Sequence, residues 1–470
     1  MPPNSQCQSL AAILPSKVAF PDSQAYETSV SSYWARPEQE LSPACIVVAT
    51  EAEDVSIALS IIVPGACKFA VRSGGHGSAP AVANIEDGVT LDLSGIAFTT
   101  PNEDGSQVAI GPGQEWSNVY GILAPFGVSV PGTRAGGVGV AGSTLGGGLG
   151  FVAPSAGFAA DNVASFQVVL ANASIVTASP HENADLFKAL KGGGSNLGIV
   201  TKFVFDTVPL GQVWGGDSVY PSSSLKGAVK AFSDFVGSPH YDDKAQTLMT
   251  FFFMPEFGPQ IVNQQIYAAP VPDPAAFAGF GAIAGQLFND TAITTVHALS
   301  VGAQARSPDG LQQLNFALTL RNKAEAIEDI WPIFENTFPT ISSVQGISWA
   351  LTLVSIPQTL GEKSAARGGN ILGLDIPPEG LVLALLSGTF ERAADYPAMS
   401  HVAKDLLAAL IAKAKHHGAY HPFIDLNHAG PTQHVFHGYG HDNHKFLKAT
   451  AKAYDPAGVF QKLMPGGFKL

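Results

Sequence analysis

The apolar run Phe69-Ala70-Val71 stops abruptly at Arg72-Ser73-Gly74-Gly75-His76-Gly77. This break constrains the chain more than any other stretch. A strand that ends in two glycines leaves backbone N–H groups uncovered by side chains, and such groups can close on an anion. Arg72 brings a permanent positive charge to the turn. His76 stands at its mouth as a nucleophile or ligand. The bland alternative is a histidine that only caps the turn.

A second glycine-rich tract follows, with nine glycines in the nineteen residues 132–150. Asp161-Asn162-Val163 comes next, then Lys191-Gly192-Gly193-Gly194-Ser195-Asn196-Leu197-Gly198-Ile199-Val200-Thr201. The chain ends through Tyr454-Asp455-Pro456 and Pro465-Gly466-Gly467-Phe468. The 50 glycines follow no period, which excludes collagen. They cluster in loops, as expected where backbone must approach a ligand. Within the tract, Gly137-Val138-Gly139-Val140-Ala141-Gly142 spells G-x-G-x-x-G, and Asp161 lies about 20 residues on. No strand signal opens that hexapeptide, and glycines continue past it, so a Rossmann unit is not expected.

At 470 residues, with 46% hydrophobic and 13% charged content, the chain can bury a large core and is expected to hold two domains. A formal net charge of −13 argues against a nucleic-acid partner, which needs basic surface. No apolar run approaches the ~18 residues that span a bilayer. The opening MPPNSQCQSL has no basic stretch before an apolar one, so no secretory leader is read there, and a cytoplasmic location is slightly favoured over a trimmed secreted form. Asn172-Ala173-Ser174 and Asn289-Asp290-Thr291 fit glycosylation sequons, a pattern that chance often produces.

Short helix and strand signals alternate in the first half. Residues 52–62 read as an amphipathic helix opened by Glu51, Glu53 and Asp54. Residues 68–71, 89–93, 108–110, 165–170 and 199–205 read as strands, and 183–190 as a helix. After Pro209 the pattern changes. Strands are expected at 247–253, 264–268, 293–299, 347–354 and 381–386, with helices at 323–337 and 396–415. This organisation predicts an α+β protein: residues 1–210 form a first domain, 211–420 a second built on an antiparallel sheet backed by helices, and 421–470 return to the first.

Taken in order, these motifs resemble the FAD-linked oxidases of the vanillyl-alcohol oxidase superfamily, with a PCMH-type FAD-binding domain, and within it the fungal berberine-bridge-enzyme-like branch. The resemblance covers nearly the whole chain. It implies FAD bonded covalently through His76 to the 8α-methyl group. It places Arg72, Ser73, Gly74, Gly75 and Gly77 around that bond. Gly132, Gly137, Val138, Gly142, Gly146 and Gly147 are expected along the flavin ring and pyrophosphate. Asp161, Asn162, Val163, Gly198, Ile199 and Val200 are expected near adenine and ribose, and Asn427 near the flavin. Some relatives add a second link through a cysteine where this chain has Ala135, so a single link is expected here. Secreted relatives pair the cysteines that correspond to Cys7 and Cys67, which would leave Cys45 free.

The resemblance breaks at one motif. Relatives commonly read Tyr-Leu-Asn-Tyr-Ala-Asp-Pro, with the first tyrosine often the catalytic base. This chain reads Asp425-Leu426-Asn427-His428-Ala429-Gly430-Pro431. Asp425 is the expected base, on the assumption that it shares a strand face with Asn427. His428 is an alternative that needs no tuning, and a base on the second domain's sheet is a third. Eight of the 13 histidines fall between His416 and His444. His434, His437, His441 and His444 have the spacing of one helical face. No cysteine joins them and the family needs no metal, so a histidine-rich loop near the cofactor entrance is expected, not a metal site. The resemblance implies a monomeric oxidase of a small secondary metabolite that passes hydride to flavin N5 and electrons to dioxygen. An oligosaccharide oxidase and a non-redox cyclase with structural FAD are the alternatives.

Overall fold

The computed structural model describes residues 3–470, with side chains from Ser5 onward. Three sheets organise it. In the first, Cys45–Val48, Val89–Asp92 and Phe69–Arg72 run parallel, and Val18–Ala19 adds an antiparallel edge. Helix Ala52–Ile62 makes the crossover, and its Val55, Ala58, Leu59 and Ile62 pack on Val47, Phe69 and Val89. The second sheet is antiparallel: Thr99–Pro101, Gln107–Ile110, Ile199–Asp206, Val163–Val169 and Ile175–Ala178 in spatial order. No nucleotide-binding parallel sheet of the Rossmann type is formed by the strands around residues 132–150.

The third sheet has nine strands, and every pairing in it is antiparallel. Its centre is Ala245–Met254, Ser348–Ile356, Leu381–Phe390 and Gln312–Arg321. One face is covered by helices Leu225–Val236, Ala324–Glu335 and Tyr396–His416. In the last of these, Met399, Ala403, Leu406, Leu407, Leu410 and Ala414 form the buried stripe, a helical period. The sheet alternates faces with period two. Val382, Ala384 and Leu386 meet the helices, while Leu383 and Leu385 meet the core of the N-terminal half. The expected α+β architecture is therefore present, with a helix-backed antiparallel sheet laid against the N-terminal sheets. After Tyr420–His421, which pairs with Gln312–Arg321, helix His441–Tyr454 packs back on helix Ala184–Leu190.

Two expectations need correction here. The disulfide joins Cys7 to Cys45 with Cα atoms 5.9 Å apart, and Cys67 is the buried free thiol. Helix Pro3–Ile13 packs on helix Ala52–Ile62 and on strand Cys45–Val48, so Cys45 is the cysteine within bridging range of Cys7. The strand expected at 293–299 is also shorter. It ends at Thr294, and Thr295 caps helix Val296–Ala305 by accepting a hydrogen bond from Ala298 N at 3.1 Å.

Candidate active site

The turn after strand Phe69–Arg72 is built around Arg72, which is 5% exposed. Its guanidinium donates to Ser29 O and to Ser29 Oγ, and to Ser32 O at 3.1 Å and Ser32 Oγ at 2.7 Å. It also pairs with Asp92 at 3.6 Å and lies over the Tyr33 ring. Arg72 is thus tied to protein, and only its Nε lacks a partner. Arg72 is an internal clamp of the turn.

The glycines of the turn serve close approach. A Cβ on Gly74 would sit 2.4 Å from Gly139 Cα, so the two glycine loops meet backbone to backbone. Gly75 has φ +67° and its carbonyl accepts from Trp34 N at 3.1 Å. Gly77 leaves room for Val82, and Ser73 lies beside the Gly139 contact. Trp34 stacks on His76 with ring centroids 4.1 Å apart. Burial holds the His76 imidazole at about pKa 4, so the ring is neutral near neutral pH. Its Nε2 is buried without a hydrogen-bond partner.

The tract at 132–150 folds over this turn. Gly132 has φ +49° and lies against Tyr120 and Trp116. Gly137 N donates to Gln304 Oε1 at 3.1 Å, and Gln304 also interacts with His76. Val138 packs on the N-terminal core. Gly142, on helix Val140–Leu145, faces open space where a Cβ would stand. Gly146 abuts Asn427, and Gly147, at φ +111°, abuts Leu372. Asn427 Nδ2 donates to Ser143 O at 3.0 Å, which ties the C-terminal segment to the tract.

Residues 426–428 form a 3₁₀ turn, not the expected strand. The shared face is therefore at spacing three, not two. Asp425 and His428 meet, and His428 Nδ1 donates to Asp425 Oδ2 at 2.6 Å. Asp425 is 4% exposed and lines a small cavity with Thr319 and the apolar walls Leu149, Phe158, Ile356 and Leu383. His428 lies within electrostatic range of His76. Arg134 lies within range of Asp425. Its guanidinium makes no ion pair, and its Nη1 is buried without a partner. Arg134 was not a candidate on sequence grounds, although it is the only charged residue between Glu115 and Asp161. Trp34 and Gln304 were also missed, because each reaches the turn from far along the chain.

The remaining candidates lie deeper in the fold. Asp161 accepts from Phe158 N and from Asn370 Nδ2, each at 2.9 Å, and so bridges the two halves. Asn162 Nδ2 donates to Ala156 O and Phe158 O, while its Oδ1 is unpartnered. Val163, Ile199 and Val200 are core residues of the second sheet. Gly198 makes room for Val168. The histidines expected on one helical face are split between Val435–Gly438 and His441–Tyr454, with His434 just before the first. Among the described residues no group of three or more His, Cys, Asp or Glu side chains is arranged to hold a metal ion.

Buried polar atoms without partners are rare in folded proteins. Here His76 Nε2, Arg134 Nη1, Thr144 Oγ1, Asn162 Oδ1 and Thr319 Oγ1 are all unpartnered along or beside the glycine loops. With the open space at Gly142, they fit a large group with polar edges. An FAD molecule is such a group.

Comparison with known proteins gives the same cofactor. Residues 43–179 match the family described as FAD binding domain. The FAD-dependent monooxygenase drtC of Aspergillus calidoustus is 35% identical over 92% of this chain and 83% of its own length. The FAD-dependent monooxygenase sdcF of Emericella nidulans is 33% identical over 99% of this chain and 98% of its own. Another relative, Oligopeptidase PhomG' of Diaporthe leptostromiformis, is 33% identical over 98% of this chain, which spans only 37% of that protein. Among solved structures, the glucooligosaccharide oxidase of Acremonium strictum, described with a 6-S-cysteinyl, 8α-N1-histidyl FAD, superposes with a TM-score of 0.79 at 19% identity, covering 97% of each chain. The chain therefore belongs to the FAD-dependent oxidoreductases with this FAD-binding domain, among the relatives of fungal FAD-dependent monooxygenases, and it shares its fold with the berberine-bridge-enzyme-like protein 1 of Physcomitrella patens.

Proposed function

We propose that this protein is an oxidase of a small secondary metabolite, with FAD bonded once, through His76, and dioxygen as electron acceptor. The Asp425–His428 hydrogen bond beside the apolar cavity carries this reading. Bound FAD supplies a two-electron acceptor and, with dioxygen, turns those electrons into hydrogen peroxide. His428, protonated on Nδ1 by this assignment, has Nε2 free to take a substrate proton. Asp425 fixes that tautomer and stabilises the imidazolium that forms. The walls Leu149, Phe158, Ile356 and Leu383 exclude water from the reacting carbon. Neutral His76 is the form able to bond an electrophilic carbon, and Ala135 offers no thiol for a second link.

The tyrosine expected of an oligosaccharide oxidase is absent, with Asp425 in its place. A non-redox cyclase is separated by experiment. Wild-type enzyme is mixed anaerobically with enols, phenols, alcohols and amines of secondary-metabolite type. Flavin bleaching followed by peroxide on admitting air is expected for at least one class. Product formed without bleaching would overturn the redox assignment.

A further inference from the structure

We propose that Trp34 is the positioning residue for attachment of the flavin at His76, and that the segment leading into the nine-stranded sheet holds Trp34 in place. The proposal rests on the single His76 bond proposed above and adds what aims the ring. The indole and the imidazole stack with centroids 4.1 Å apart and planes 11° apart. The outer torsion of a histidine side chain is otherwise broad, so an unstacked ring turns through many orientations. Stacking fixes the plane of the imidazole. The nitrogen lone pair that forms a bond lies in that same plane, so the stack also aims the nucleophile.

Trp34 is itself fixed from two directions. Its N donates to Gly75 O at 3.1 Å, one residue before His76. Its O accepts from Gly310 N at 2.8 Å, and its Nε1 donates to Ser307 O at 3.2 Å and Ser307 Oγ at 3.1 Å. Two residues on, Arg36 N donates to Leu311 O at 2.8 Å and Arg36 Nε to Gly310 O at 2.7 Å. Gln304 ties the same segment to the glycine tract. Its Oε1 accepts from Gly137 N at 3.1 Å, and its Nε2 donates to Ser307 O at 3.2 Å. Residues 304–311 run from helix Val296–Ala305 into strand Gln312–Arg321. The imidazole is therefore aimed when that sheet is seated on the N-terminal half, and attachment is coupled to this docking.

The step needs only FAD and dioxygen. One N–C bond forms between the unprotonated nitrogen of neutral His76 and the 8α carbon. A C–H bond at that carbon breaks, and so does the N–H bond of the other ring nitrogen. The C–H electron pair passes into the flavin, which is thereby reduced, and the two protons follow it. Dioxygen then takes the pair and the protons as hydrogen peroxide.

Full-length wild type, Trp34→Ala and Trp34→Phe are made in riboflavin-starved cells and given FAD in air. Total flavin and acid-stable flavin are measured over time, with melting temperature alongside. Acid-stable flavin should form about 10- to 100-fold more slowly in Trp34→Ala, the scale for a misplaced reacting group. Total bound flavin should match wild type. Trp34→Phe keeps a stacking ring without Nε1 and should fall between the two. Attachment at the wild-type rate in Trp34→Ala overturns the proposal. So does an equal loss of total flavin and of melting temperature in both variants, because Trp34 would then hold the fold and not the ring. A wild type with no acid-stable flavin sinks the His76 bond itself, and this proposal with it.

Discussion

His428 donates its Nδ1 proton to Asp425 across a single 3₁₀ turn, at 2.6 Å, so the two side chains act as one unit. If His428 is the base, Asp425→Asn should slow flavin reduction by about 10² to 10⁴, the scale of a lost general base. His428→Ala should cost a similar factor. The double variant should be no worse than either single one, because each breaks the same pair. Rapid anaerobic reduction measures this, with flavin content as the control. Wild-type rates in Asp425→Asn would remove the pair from the mechanism.

Acid-precipitated wild-type protein should be yellow. His76→Ala should release its flavin to the supernatant, since Ala135 offers no thiol for a second link. A colourless wild-type pellet would rule out a covalent bond.

Gly75→Val should yield largely apoprotein and lower stability. Its φ is +67°, which costs a non-glycine residue about 1–2 kcal/mol. The added Cβ would also press on Tyr33 at 3.0 Å and Arg72 at 3.1 Å, displacing the clamp beneath the turn. Full flavin occupancy with an unchanged melting temperature would show that the turn tolerates other conformations.

Denatured, unreduced protein should titrate one thiol, Cys67, and three after reduction. Cys45→Ser should cost about 2–4 kcal/mol, the usual effect of removing such a cross-link. Cys67→Ser should cost much less. Mapping the bridge to Cys7 and Cys67 by peptide mass would contradict the pairing described here.

The carboxyl of Glu38 is pushed up to about pKa 7, chiefly by burial. It accepts from Val82 N and Ala83 N and so anchors the segment that follows His76. Between about pH 4.5 and 7 the folded state then holds a proton that the unfolded state has lost. Stability from this group therefore falls as pH rises through that window. Glu38→Gln should flatten the fall, on the order of 2 kcal/mol between pH 5 and 8. Parallel pH profiles of melting temperature in both proteins would reveal the error.

Local signals carried much of this structure. Helix Ala52–Ile62 was readable from the period of its apolar residues, and strand Leu381–Phe390 from the short unbroken apolar run Leu381 to Leu386. The turn at Arg72 was readable from its glycines. What holds Arg72 was not, because its partners are Asp92 on the neighbouring parallel strand and Ser29 and Ser32 from an earlier helix. The strand expected at Asp425 failed because three residues cannot distinguish a strand from a 3₁₀ turn. The disulfide followed helix packing, which spacing does not encode. Arg134 carried a signal in its isolation as a charge, hidden by the glycines around it.

The alternation along strand Leu381–Phe390 has a consequence for how this enzyme can change. Leu383 faces the cavity, while Val382 and Ala384 on either side hold the helices. Ile356 and Thr319 occupy the same register of exposure on strands Ser348–Ile356 and Gln312–Arg321. One set of positions lines the cavity, and the set between them keeps the sheet attached to its helices. The cavity's lining can therefore change at alternate residues while the packing of the sheet on its helices stays as it is.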